Sequence, residues 1–258
     1  AEDNWRRLDI GDLAHAETKN LLLYAPESMK AKLASAGRFY ERCLGHAMKA
    51  LFTKEDKWKG KLTVYLFEKS THYGSFIRRV EKRRVEGIEE GSFSLEKEEA
   101  VHIAGCPPRS GEGPAGRVRA AEQIGQIVIQ KKAGLRTILP NWLRKGTGMA
   151  TYWRALGARS SRVRAARKEA VQLVYREKKS ADDVWNGSLE SSEKKILNPS
   201  FADYMVYGPG QKYMPKILGG FKPGDNQRST SFGQAIQAAD LTTKQISDAF
   251  RRWVRSPR

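Results

Sequence analysis

The chain has 258 residues, 40% of them hydrophobic, with aromatic residues spread along its length. It is long enough to bury a substantial core and too apolar for a disordered chain. Its apolar runs, such as residues 21–25 and 64–67, fall far short of the roughly 18 residues that a membrane span needs. Forty-seven basic residues against 29 acidic ones give a formal net charge of +18. Such a surplus favours solubility and attracts polyanions (nucleic acid, an anionic lipid surface or an anionic polysaccharide), unless it is only a solvated basic surface.

Residues 1–15 are polar and read as a lead-in. A start at Ala1 without methionine suits an exported protein, periplasmic or extracellular, whose signal peptide is removed before Ala1. Residues 19–25 read as a strand ended by Pro26, and 27–53 as one amphipathic helix. There Met29, Leu33, Ala36, Tyr40, Leu44, Met48 and Leu51 recur at three- and four-residue steps. Residues 61–69 alternate as a strand, 71–85 form a basic helix, a turn follows at 87–91, Phe93 and Leu95 mark a short strand, and 100–104 form another. Cys43 and Cys106 are a candidate disulfide in an oxidising compartment, or else two small core residues.

The stretch 107–116, with three glycines and three prolines, reads as a mobile loop or a boundary. Beyond it strand signals vanish, and helices are expected at 117–132, 140–156, 159–179, 199–218, 230–239 and 242–255. The fold class is therefore α+β. An N-terminal sheet-and-helix lobe, 1–108, precedes a mostly helical lobe, 109–258, or the two form one continuous domain.

Residues 119–130 read Arg-Ala-Ala-Glu-Gln-Ile-Gly-Gln-Ile-Val-Ile-Gln, and 139–152 read Leu-Pro-Asn-Trp-Leu-Arg-Lys-Gly-Thr-Gly-Met-Ala-Thr-Tyr. Together they resemble the two helical signatures of zinc metallopeptidases with a glutamate third ligand, His-Glu-x-x-His and Leu-Pro-x-Trp-Leu-x-Glu-Gly-x-x-x-x-x-Tyr. Asp182 to Gly187, Asp203-Tyr204, Tyr207 to Gly210 and Arg251 to Val254 extend the similarity to exported bacterial proteins with a gluzincin-like (peptidase-MA-like) domain. In that family the two histidines lie one helical turn apart and share one zinc ion, and the glutamate takes a proton from the zinc-bound water.

The resemblance places the vestigial metal positions at Ala121, Gly125 and Lys145, and keeps only the general-base position, Glu122. Alanine and glycine side chains carry no donor atom, and Lys145 brings a cation where a metal would sit. The four histidines (His15, His46, His72 and His102) all precede the motif, and no two have ligand spacing. No metal and no cofactor is expected. The resemblance implies a catalytically inactive peptidase-like domain, acting as a binding or structural module outside the cytoplasm and holding an unidentified protein or polymer in its cleft. Glu122 then either pairs with Lys145 across the vacated site or faces solvent.

The alternative is a polyanion binder acting through charge. Arg159, Arg162, Arg164, Arg167 and Lys168 are its candidate anion-binding residues, with further clusters at 78–84 and at Arg251, Arg252, Arg255 and Arg258. No phosphate loop and no Gly-x-Ser-x-Gly elbow is present.

Overall fold

The computed structural model describes residues 2–53, 60–86, 89–95, 101–108, 116–221 and 230–256. The fold is α+β, and the chain divides into two compact units, Ala1–Gly45 with Lys54–Ile127, and His46–Thr53 with Val128–Arg258. Two of the divisions fall inside helices, after Gly45 and after Ile127. Residues 109–115 of the expected boundary loop lie outside the described residues, as do 87–88 and 96–100 of the expected turn and strand.

The first unit contains α1 (Glu2–Arg6), β1 (Leu13–Glu17), β2 (Leu21–Pro26), most of α2 (Lys30–Leu51), β3 (Leu62–Leu66), α3 (Ser70–Arg79), β4 (Gly91–Ser94), β5 (His102–Gly105) and the first turns of α4 (Gly116–Ala133). The strands form one sheet in the order β1-β2-β3-β5-β4. Central β2, β3 and β5 run parallel, with β1 and β4 antiparallel at the edges. Every residue of β3 and β5 is buried, as parallel strands covered on both faces require.

Strand periodicity assigns the two faces. Leu23, Val64 and Ile103 are in register and point one way. Helix α2 lies on that side, where a Cβ at Gly37 would touch Leu23. Helix α4 joins it. Tyr40 of α2 donates its hydroxyl hydrogen to the Arg117 carbonyl (3.0 Å), and a Cβ at Gly105 would stand 2.7 Å from the Ala120 nitrogen. The seating of α4 on β5 is why its first turns belong to the sheet unit.

Tyr65, Phe67, Ala104 and Cys106 point the other way, into an aromatic cluster completed by α1 and α3. Trp5 of α1 stacks on Phe67 with ring centroids 5.6 Å apart. The expected polar lead-in is thus a helix and an edge strand, because Trp5 and Leu8 bury themselves against the sheet. Glu41 of α2 pins the β1–β2 turn, accepting from Thr18 Oγ1 (2.6 Å), Asn20 N (2.7 Å) and Asn20 Nδ2 (2.8 Å).

The second unit is helical among the described residues: α5 (Asn141–Leu156), α6 (Ser161–Tyr175), α7 (Ala181–Asn186), α8 (Ser191–Tyr207), α9 (Met214–Gly220), α10 (Phe232–Gln237) and α11 (Thr243–Arg255). Reciprocal capping boxes with a hydroxyl residue at the N-cap start α7, α10 and α11, at Ser180/Asp183, Ser231/Gln234 and Thr242/Gln245. The expected helix 199–218 is instead α8, a 3-10 turn at Pro209–Tyr213, and α9. A proline favours the first turn of a helix, yet Pro199 sits inside α8. The true start is fixed by Glu193, which accepts from Glu190 N (2.7 Å) and pairs with Lys179 (2.8 Å).

Helices α5 and α8 pack most extensively, around Phe201, whose ring lies 4.9 Å from Trp142 and 5.1 Å from Phe250. Gly146 sets their approach. A Cβ there would stand 2.7 Å from the Asn198 carbonyl oxygen and 3.0 Å from Ala202 Cβ. No helix among the described residues is long and apolar enough to cross a membrane. Gly146→Ala is expected to destabilise the protein by about 1–3 kcal/mol through overpacking, measured by urea unfolding. Wild-type stability in this variant would mean that the helix pair is not held at this separation.

Candidate functional site

The first of the two segments that carry the sequence resemblance lies on α4. Ala121, Glu122 and Gly125 are all buried, and Ala121 and Gly125, one turn apart, share a helix face. That face offers a methyl group and a hydrogen. Beside it Glu122 Oε2 accepts a hydrogen bond from Arg119 Nη1 at 2.9 Å. Arg119 also donates through Nε to Glu90, so one guanidinium bridges two carboxylates. Burial works against the Arg119 charge. The charges and hydrogen bonds of Glu122 and Glu90 outweigh it and raise the guanidinium above its ordinary value.

Lys145, the expected partner of Glu122, stands at an exposed position on α5. A cation that does pair with Glu122, Arg119, is one turn away on its own helix. The i, i+3 spacing of Arg119 and Glu122 was the available sequence signal for it.

A second buried polar cluster lies at the sheet edge and had no sequence signature. Glu81, which follows α3, accepts from Ser92 Oγ at 2.6 Å and from Arg83 Nε at 2.8 Å, and His102 Nε2 lies 3.2 Å from the same carboxylate. Arg83 continues to Glu89, which also accepts from the Tyr73 hydroxyl at 2.9 Å. The His102 ring meets Tyr65 and Phe76 edge-on. Ser92 and His102 both turn toward one carboxylate oxygen.

Burial pushes the Glu81 carboxyl up. The His102 and Ser92 hydrogen bonds, with the charges of His102 and Arg83, outweigh it and hold the group below the usual carboxylate range. Glu89 and Glu41 are likewise lowered against burial, by Arg83 and Tyr73 and by Thr18 and Asn20 respectively.

The two cysteines are separate buried thiols, not the candidate disulfide. The sheet explains this. Cys106 belongs to the aromatic cluster on one face, whereas Cys43 is carried by α2 over the other. Burial pushes the Cys43 thiol up to about 12, which makes it a poor nucleophile. Among the described residues, no three His, Cys, Asp or Glu side chains gather in a group able to hold a metal ion.

The candidate anion-binding residues separate into two kinds. Arg162 donates to the Tyr152 hydroxyl at 2.9 Å, and its guanidinium lies 6.0 Å from the same ring. Half-buried Arg167 interacts with Asp203, which accepts from Arg154 Nε at 2.5 Å. Arg159, Arg164 and Lys168 are exposed. On α11, Arg251 and Arg255 lie over the Tyr175 ring, 5.3 and 5.5 Å from its centroid. In the 78–84 cluster, Arg79 donates to the Arg7 carbonyl (2.8 Å) and Arg83 serves the buried glutamates. Arg258 lies outside the described residues.

No family model matches the chain, and no curated protein sequence matches it.

Arg119→Ala is expected to cost about 2–4 kcal/mol in urea unfolding, since it strips two buried carboxylates of a shared cation. Lys145→Ala, at its exposed position, should change stability by less than about 0.5 kcal/mol. A larger loss at Lys145 than at Arg119 would make Lys145 the main partner of Glu122.

Glu41, Glu81 and Glu89 all have folded values below their unfolded ones, so the unfolded chain takes up protons first as pH falls. Their stabilisation is complete above the ordinary carboxylate range. It shrinks as pH falls through that range and is lost below the lowered folded values. Unfolding free energies measured between pH 7 and pH 3 should decline below about pH 5, and less steeply in Glu81→Gln. An identical slope in that variant would remove Glu81 from the account.

Proposed function

We propose that this chain is a non-catalytic binding module on a metallopeptidase-like frame, acting outside the cytoplasm and holding a protein or polymer without cutting it. One observation carries this reading: Glu122, at the general-base position, is bridged by Arg119 to Glu90. A guanidinium does not release its proton near neutral pH, so it can neutralise the carboxylate but cannot activate water as a metal does. Ala121 and Gly125, at the histidine positions, have nothing with which to hold a metal. The buried pair supplies a fixed internal charge balance where the family has a reactive centre. Fold and activity are separable, so such a frame can keep a binding surface.

A second reading, a polyanion binder acting through charge, is favoured by the two arginines stacked over Tyr175 and by the exposed Arg159, Arg164 and Lys168. These exposed residues, unlike Arg162 and Arg167, can be reversed without breaking an internal contact.

Protein purified without chelator and then offered excess zinc is expected to retain less than about a tenth of an equivalent, with no shift in Tm. A broad peptide library should stay uncut. Stoichiometric zinc that resists dialysis, or turnover that disappears in Glu122→Gln, would overturn the non-catalytic reading. Reversing Arg159, Arg164 and Lys168 to glutamate should lower the salt needed for elution from heparin; unchanged elution would remove the charge-driven reading.

A further inference from the structure

Leu135 and Ile138, on the loop between α4 and α5, are the exposed large hydrophobic residues among those described, with 62% and 63% of their surfaces open. Arg136 between them is also exposed, whereas Thr137 and Leu139 turn inward. The loop is therefore a two-sided structure with an anchored inner side and an apolar outer side.

Its shape is held by hydrogen bonds. Thr137 N donates to the Gly134 carbonyl at 3.1 Å, closing a turn in which Gly134 takes a left-handed φ of 103°. The Thr137 hydroxyl donates to the Ala133 carbonyl at 2.7 Å. The Gln130 side-chain amide spans the loop, donating to the Gly134 carbonyl at 3.0 Å and to the Thr137 carbonyl at 2.8 Å. The two aliphatic side chains thus project from a backbone that needs little further ordering on binding.

The chain segment that carries the tip is basic. No carboxylate occurs in the chain between Glu122 and Glu169. Lys131 and Lys132 occupy the last turn of α4, Arg136 sits at the tip, and Lys145 is exposed on the second turn of α5. A second copy of this chain would bring the same positive charges against these, which opposes self-association through the loop.

We infer that residues 134–139 form a membrane-docking loop for an anionic lipid surface, in which Leu135 and Ile138 enter the acyl boundary while Arg136 and Lys145 meet the headgroup phosphates. An apolar tip that carries exposed Arg136, with Lys145 exposed on the following helix, fits a surface that is anionic outside and apolar beneath. A soluble polyanion satisfies the rim and leaves the tip in water. The inference stands on this loop alone and is independent of the peptidase-like reading; its failure would leave that reading untouched.

The test is sedimentation of the full chain with vesicles of phosphatidylglycerol and phosphatidylcholine, and with phosphatidylcholine alone. The wild type should sediment with the anionic vesicles only. Leu135→Ser and Ile138→Ser should each weaken that partitioning about tenfold, with unchanged Tm, circular dichroism and heparin elution. Arg136→Glu should weaken it while leaving the apolar tip in place.

Three outcomes would overturn the inference. The first is no sedimentation of the wild type with anionic vesicles. The second is unchanged affinity in the Leu135→Ser/Ile138→Ser double variant, which would assign binding to charge elsewhere. The third is concentration-dependent self-association that this double variant abolishes.

Discussion

Three parallel strands without a solvated face constrain the whole first unit. Strands β2, β3 and β5 carry apolar side chains in both directions, so each face of the sheet must be covered. Helices α2 and α4 cover the face of Leu23, Val64 and Ile103, and α1 with α3 closes the aromatic face around Tyr65 and Phe67. Any polar group in this interior must bring its partners along. His102, buried on β5 between two aromatic rings, does so through Glu81.

The buried carboxylates show how the chain meets that demand. Glu81 pairs with Arg83, Glu122 with Arg119 and Asp203 with Arg154. Two of these arginines serve a second carboxylate as well, Glu89 and Glu90 respectively. A planar guanidinium with five donors can bridge acceptors in this way, and it keeps its charge when partly buried. At Glu122 the carboxylate is committed to an ion pair within its own unit. Such pairs contribute little net stability relative to an apolar replacement, but losing one partner is costly, which fixes the arrangement once it is made.

The surplus positive charge is not one feature. Part of it is structural, as in Arg83, Arg119 and Arg154, whose guanidinium groups neutralise interior acids. Part lies over rings, as Arg251 and Arg255 do on Tyr175. Others are exposed, as Arg159, Arg164 and Lys168 are on α6 and Arg136 is on the loop that carries Leu135 and Ile138. A net charge of +18 counts all three alike. Their capacities to bind an anion differ with exposure, because a guanidinium already held by a buried carboxylate has little left to offer a ligand.

Periodicity in the sequence determined the α+β class, the amphipathic α2 and the strands around Leu21, Leu62 and His102, because the spacing of apolar residues directly reports which face an element buries. Composition misled where a few large side chains dominate a polar segment, as Trp5 and Leu8 do at the start. The single helix expected at 199–218 is divided in the structure into α8, a 3-10 turn and α9, with Pro199 inside α8. For the candidate site, the sequence by itself established only that positions 121, 125 and 145 hold alanine, glycine and lysine. Only the tertiary structure decided that Cys43 and Cys106 lie on opposite faces of the sheet, that Arg119 bridges Glu122 to Glu90, and that Glu81, Ser92 and His102 converge. These relations join residues on different elements, or select one neighbour among several, and the spacing of residues along a chain does not encode the direction in which a buried polar side chain finds its partner.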